Sequence, residues 1–259
     1  MHDAITDSQT DTVVAINPTG QSPVLLVCEH ASCHIPTAMK ALGVSGAARN
    51  SHIAWDPGAL AVARAMSSHF DAVLIASTVS RLVYDCNRPP DAPDAIPVES
   101  ERHSVPGNVG LTAAERAERV ARFYAPFRAS VASALRATAE PILVTVHSFT
   151  PVYAGTSRSV EIGVLHDRDA RLADAMLACA RDHTEADVRR NEPYGPEDGV
   201  THTLTEHALP AGCPNVMLEI RNDLIADAPS QCAMARMLAR WLTEACTHLE
   251  SGRALTCSA

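Results

Sequence analysis

Five short apolar runs mark the chain, at Val24–Cys28, Val73–Ser77 and residues 142–147, 160–165 and 216–220. Each is long enough for one strand, and each is continuously apolar rather than alternating, as expected of strands buried on both faces. Between them the period changes. Leu60, Met66 and Phe70 form one stripe at helical spacing, and Val120, Phe123, Phe127, Val131 and Leu135 form a longer one. Thr112 and Glu115 have capping-box spacing ahead of that second helix. Further helices are predicted over 168–183 and 229–250. Strands alternating with helices predict a three-layer α/β fold, with a mostly parallel or mixed central sheet and helices on both faces.

Residues 1–22 are polar and turn-rich, with Asn17, Pro18, Gly20 and Pro23 before the first apolar run, and read as a flexible lead-in to a single catalytic domain over 23–259. Two stretches break the alternation, 87–110 and 191–214. Both are rich in turn residues, and loops of that length in a compact domain usually serve function.

Composition narrows the partners. Of 259 residues 46% are hydrophobic and only 4% aromatic, and the formal net charge is −9. A nucleic-acid partner is not expected, because phosphate binding requires a basic face and base stacking requires exposed aromatics. A small molecule is the better expectation. Every basic residue except Lys40 is arginine, so a bound carboxylate would meet a guanidinium fork. The eight cysteines lack the spacing of zinc ribbons or small secreted scaffolds. No apolar stretch approaches the roughly 18 residues of a membrane span, and the N-terminus has no secretory pattern. A cytoplasmic protein without a membrane partner is the expectation.

The candidate chemistry sits where strands finish. His30 follows the first run, His147 ends the run over 142–147 and Glu219 falls near the end of the last. Ligands of α/β sheets bind beyond the carboxyl ends of strands, so these three can converge, and two histidines with a carboxylate suit a catalytic zinc. Asp85, Asn87 and Arg88 form an Asp-x-Asn-Arg element that offers an oriented guanidinium to a substrate carboxylate; a salt-bridged turn before Pro89 is the plainer reading. A thiol nucleophile at Cys28 or Cys33 beside His30 and His34 lacks the cationic setting that lowers a thiol pKa.

At these residues the chain resembles the N-formylglutamate amidohydrolase family. The resemblance rests on Cys-Glu-His-Ala-Ser at 28–32, His-Ile-Ala-Trp-Asp-Pro-Gly-Ala at 52–59, Ser-Arg-Leu-Val-Tyr-Asp-Cys-Asn-Arg-Pro at 80–89 and His-Ser-Phe-Thr-Pro at 147–151. It continues through Asn-Glu-Pro-Tyr at 191–194, Asp-Gly-Val-Thr-His-Thr-Leu at 198–204 and Glu-Ile-Arg-Asn-Asp at 219–223. It covers nearly all of 24–245. It implies a phosphorylase/hydrolase-like fold akin to zinc carboxypeptidases and aspartoacylase, and a metal-activated water attacking an amide. The implied reaction is hydrolysis of a small carboxylated N-acyl amino acid, with N-formylglutamate giving formate and glutamate. Deacylation of other N-acyl amino acids, or carboxylate binding without turnover, are the alternatives.

Carried onto this chain, the resemblance makes His30 and His147 metal ligands, Glu219 the catalytic base, and Asn87 with Arg88 the carboxylate-binding pair. The metal is expected to be zinc. The His-x-x-Glu ligand pattern of carboxypeptidases is broken by Cys33. Asp56, in the Trp-Asp-Pro-Gly segment, is taken as third ligand, with a helix N-cap as its structural alternative and Glu29 as its rival. Glu29 in a regular strand would point away from His30. Arg81 is a candidate donor to the developing oxyanion. His202 and Arg221 are candidate substrate contacts, with His207 and Tyr194 as further pocket candidates.

Overall fold

The computed structural model describes residues 12–256, with side chains up to 249. Residues 1–11 of the expected lead-in lie outside the described residues. The remainder of that stretch is not all loop: Val13–Ile16 form an edge strand, β1. Its four residues are half or fully exposed, too short and too little buried to stand out as an apolar run.

The main sheet has seven strands. After β1 come β2 (Val24–Cys28), β3 (Val73–Ser77), β4 (Ile142–Phe149), β5 (Ile162–Leu165), β6 (Val188–Arg190) and β7 (Asn215–Arg221). Their spatial order is β1-β3-β2-β4-β7-β5-β6. The central four, β3, β2, β4 and β7, run parallel. β1 joins β3 antiparallel, and β5 joins β7 antiparallel with β6 parallel to it. The sheet is therefore mixed, as a three-layer α/β fold allows. An apolar run carries no information about its direction, so the reversal at β5 had no signature in the hydrophobic pattern.

Five longer helices cover the sheet: α1 (Ala59–Phe70), α2 (Ala113–Arg119), α3 (Ala125–Ala137), α4 (Arg171–His183) and α5 (Ala228–Thr256). The Thr112–Glu115 capping box is present, with both reciprocal hydrogen bonds formed. Alternate strand residues feed two separate cores. Leu26, Val144 and Leu218 pack with Met66, Met176 and Trp241 under α1, α4 and α5. Leu25, Val27, Leu143 and Met217 face the other way, onto Phe123, Phe127 and Val131. Trp241 is fully buried, and its indole N–H donates to the Met176 carbonyl at 2.7 Å, pinning α5 to α4.

Candidate active site

The strand face carrying Val27, Leu143 and Met217 becomes polar at its carboxyl end. His147 continues that face two turns of the pleat beyond Leu143, and Glu219 continues it beyond Met217. Glu219 and His147 are register partners in parallel neighbours. Neither ends its strand, as the sequence pattern suggested; β4 runs on to Phe149 and β7 to Arg221. β2, in contrast, stops at Cys28. Glu29 and His30 follow it, and the expectation that alternation separates them does not apply past the strand end: both reach His147.

His30 Nδ1, His147 Nδ1 and Asp56 Oδ2 form a tight triangle, with sides of 3.2 Å between the imidazoles and 3.3 and 2.9 Å from them to the carboxylate. All three residues are buried. The remote imidazole nitrogens are also occupied. His30 Nε2 lies 2.7 Å from Asp85 Oδ1, and His147 Nε2 lies 3.0 Å from Glu29 Oε2, an ion-pair distance at an angle short of a good hydrogen bond. In the neutral tautomer that places Nε2–H toward these carboxylates, each Nδ1 presents its lone pair to the triangle. Two lone pairs and a carboxylate oxygen facing one another need a shared positive charge.

The ligand chemistry fits a small divalent metal. Tetrahedral zinc with bonds of about 2.0–2.1 Å sets its N and O ligands roughly 3.3 Å apart, close to the sides of this triangle. The carboxylates behind the imidazoles are the partners that metal-ligating histidines usually have. Asp56 does not act as the helix cap: Gly58 precedes α1 with φ 83°, and only the Asp56 backbone carbonyl meets the helix, accepting from Ala59 N. The Asp56 side chain accepts instead from Ser148 N at 3.3 Å.

Without a metal, protons meet that need for positive charge. Burial opposes a charged His147, but Glu29 and Asp56 outweigh it and raise its pKa well above the ordinary value. For His30, burial and Arg81 oppose the cation, while Asp85 and Asp56 prevail. Burial would lift Asp56, yet the two imidazoles hold it well below the usual carboxylate range. Glu219 behaves differently: burial, with the Asp56 charge adding to it, pushes it up to about 7 against the pull of His147, His30 and Arg81. Its Oε2 has no hydrogen-bond partner among the described residues. Cys28 is buried and shifted well upward by burial, Asp56 and Glu29, which makes it unsuited to act as a thiolate nucleophile.

His30, Asp56, His147 and Glu219 open into a cavity of about 440 Å³. Both long loops reach it, through Asn87, Arg88, Ser100 and Glu101 from the first and Pro193, Tyr194, Asp198 and Val200 from the second. Arg81 lines it too, donating to Asp85 Oδ2 at 2.7 Å with its other terminal nitrogen 3.7 Å from Asp56 Oδ1. Asn87 and Arg88 are heavily committed. The Asn87 amide donates to the Val200 carbonyl, and its oxygen accepts from Thr203 N at 2.9 Å. Arg88 donates to Asp94 and to the carbonyls of Asn87, Gly199 and Asp198.

His202 and Arg221 stand apart from the cavity lining. His202 pairs with the Tyr124 hydroxyl at 2.8 Å, and Arg221 is bound to Asp223 and Glu161 at 2.8 and 3.3 Å. His207 is not on the lining either, and burial brings its pKa down to about 4. Sequence reasoning did not anticipate the rim. Two short hairpins, Glu99–Ser100 with His103–Ser104 and Val152–Tyr153 with Thr156–Ser157, are tied together by Glu101, which accepts from Ala154 N at 2.8 Å and meets His52 at 3.0 Å.

Fold and site together define a three-layer α/β protein with a buried imidazole–carboxylate cluster beside a second carboxylate of raised pKa. Residues 22–226 match the N-formylglutamate amidohydrolase family. The chain belongs to that family of amidohydrolases. It is 52% identical to the Atu2144 gene product of Agrobacterium tumefaciens, over 95% of this chain and 98% of that one, with a TM-score of 0.90. N-formylglutamate amidohydrolase from Ralstonia eutropha JMP134 shares the fold at TM-score 0.60 and 19% identity, over 93% of this chain and 99% of that one. No curated protein matches the chain. Among the described residues no helix is long and apolar enough to cross a membrane.

Proposed function

We infer that this chain hydrolyses the amide of an N-formyl amino acid, N-formylglutamate foremost, to formate and the free amino acid, with a divalent metal, zinc by preference, held by His30, His147 and Asp56. The observation that carries the reading is the triangle of two Nδ1 atoms and one carboxylate oxygen, backed by Asp85 and Glu29, with Glu219 in register beside it. Bound there, the metal supplies Lewis-acid chemistry, lowering the pKa of water and polarising a carbonyl. Glu219 Oε2 takes a proton from the attacking water and returns it to the departing nitrogen, a task suited to a carboxylate with a pKa near 7. Arg81 directs N–H donors toward the oxygen that gains charge. Asn87 and Arg88 fix the loop over 198–203 as a cavity wall, and the remaining Arg88 N–H is available to a substrate carboxylate. We take the cytoplasm as the compartment; the seven cysteines among the described residues are free thiols, as suits a reducing environment.

Formate release from N-formylglutamate, measured alongside metal content, tests the reading. Activity lost on chelation and regained on adding zinc is expected. Full turnover in metal-stripped protein overturns the metal assignment; no formate from metal-replete protein overturns the substrate.

A further inference from the structure

Arg158 follows the second rim hairpin, and its guanidinium is held by aromatic rings rather than by an acid. Its Cζ lies 5.6 Å from the Phe149 ring centroid, 4.6 Å from that of Tyr153 and 4.8 Å from that of Tyr194. All three rings line the active-site cavity, and half-buried Arg158 adjoins that wall without itself being on the lining. Nη1 donates to the Tyr194 hydroxyl at 2.9 Å and to the Thr150 carbonyl at 3.5 Å. Among the described residues, Nε and Nη2 have no acceptor and no carboxylate lies within ion-pair distance. Arg81, Arg88 and Arg221 are paired instead, with Asp85, Asp94 and Asp223. An aromatic cage orients a cation without neutralising it, so Arg158 keeps both its charge and a free edge of its fork for an anion.

The position of the cage selects the kind of anion. Phe149 leaves the same face of β4 as His147, two residues and therefore about 7 Å farther along the strand. The α-carboxylate of an N-acyl amino acid is separated from the scissile amide by a single carbon, whereas a side-chain carboxylate extends beyond it. We propose that Arg158, caged by Phe149, Tyr153 and Tyr194, receives the side-chain carboxylate of a dicarboxylic N-acyl amino acid and sets the preference for acidic over neutral substrates. This rests on the function inferred above and adds a specificity residue to it.

The test compares kcat/KM for N-formylglutamate and N-formylglutamine, which differ only in that carboxylate. Wild type favours the acid, and Arg158→Gln lowers the acid-to-amide ratio by roughly 10–100-fold, the usual worth of hydrogen bonds to a charged group. Equal preference in wild type, or an unchanged ratio in the variant, overturns the proposal. If Arg158→Gln does not fold, Arg158→Lys decides: the point charge cannot reproduce the fork, so the ratio falls, and an unaltered ratio overturns the proposal. If wild type releases formate from neither compound, the inferred function fails, and calorimetric titration with glutarate tests the anchor alone. Weaker glutarate binding by Arg158→Lys than by wild type supports the anchor; equal binding overturns it.

Discussion

Glu219 and His147 are carried side by side by the parallel pairing of β7 and β4, with Gly163 of β5 opposite Glu219 on its other flank. Register partners share a sheet face, so backbone hydrogen bonds along two buried strands set the spacing between carboxylate and imidazole. That is a firmer support than a loop gives, and it leaves Glu219 Oε2 buried and aimed at the cavity without a partner among the described residues.

Glu219→Gln preserves shape and removes the proton acceptor. Turnover is expected to fall by roughly 10²–10⁴-fold with metal content unchanged. Metal analysis and kcat on one preparation check this; loss of metal together with activity would make Glu219 a ligand instead.

The same substitution has an opposite sign for stability in protein stripped of metal. There the folded pKa of Glu219, about 7, lies above its ordinary value of 4.5. The folded state therefore holds the proton more tightly, and this stabilisation is complete below about 4.5 and lost as pH rises through about 7. Glu219→Gln should stabilise the metal-free protein at pH 8 by roughly 3 kcal/mol and change little at acid pH. Urea unfolding across that range reads it out, and a destabilised variant at pH 8 contradicts it.

Metal affinity should separate ligands from the carboxylates behind them. Asp56→Ala is expected to abolish binding, whereas Asp85→Asn and Glu29→Gln should each weaken it by about 10–100-fold, the usual effect of removing a partner that orients a ligating histidine. Chelator competition measures all three. A Glu29→Gln protein without metal, beside an Asp56→Ala protein that keeps it, would exchange their roles.

Gly163→Ala tests how tightly the strands close around the site. A Cβ there would lie 2.1 Å from the Glu192 carbonyl oxygen and 3.1 Å from Glu219 Cβ, so the backbone must shift. A loss of about 1–3 kcal/mol is expected from overpacking, together with reduced turnover because Glu219 is displaced. An unchanged melting temperature would refute it.

The central strands were legible because they are buried on both faces and read as unbroken apolar runs. β1 and β6 were not, being three or four residues long and partly exposed. The convergence of His30, His147 and Glu219 followed from strand ends in an α/β sheet, and Asp56 required a family resemblance. Asp85 was expected to orient the Arg88 guanidinium, but it binds Arg81 while Arg88 pairs with Asp94, and its bond to His30 joins residues 55 apart and has no local signature. Arg158 escaped notice although Phe149 and Tyr153 stand close to it in sequence, because the third ring of its cage, Tyr194, comes from a distant loop. His202 and Arg221 lie in matching motifs, yet each is turned toward a nearer partner, Tyr124 or the pair of Glu161 and Asp223.

Four buried carboxylates, Glu29, Asp56, Asp85 and Glu219, converge on two imidazoles and the guanidinium of Arg81. Without a metal, the raised pKa values of His30, His147 and Glu219 let protons offset the clustered carboxylate charge, and a dication must displace those protons to bind. It binds only the folded chain, where these residues meet, so metal occupancy and resistance to unfolding become two readings of one free energy, both weakening as pH falls. A cell short of metal would then lose this protein to proteolysis of its unfolded form as well as to lack of a cofactor.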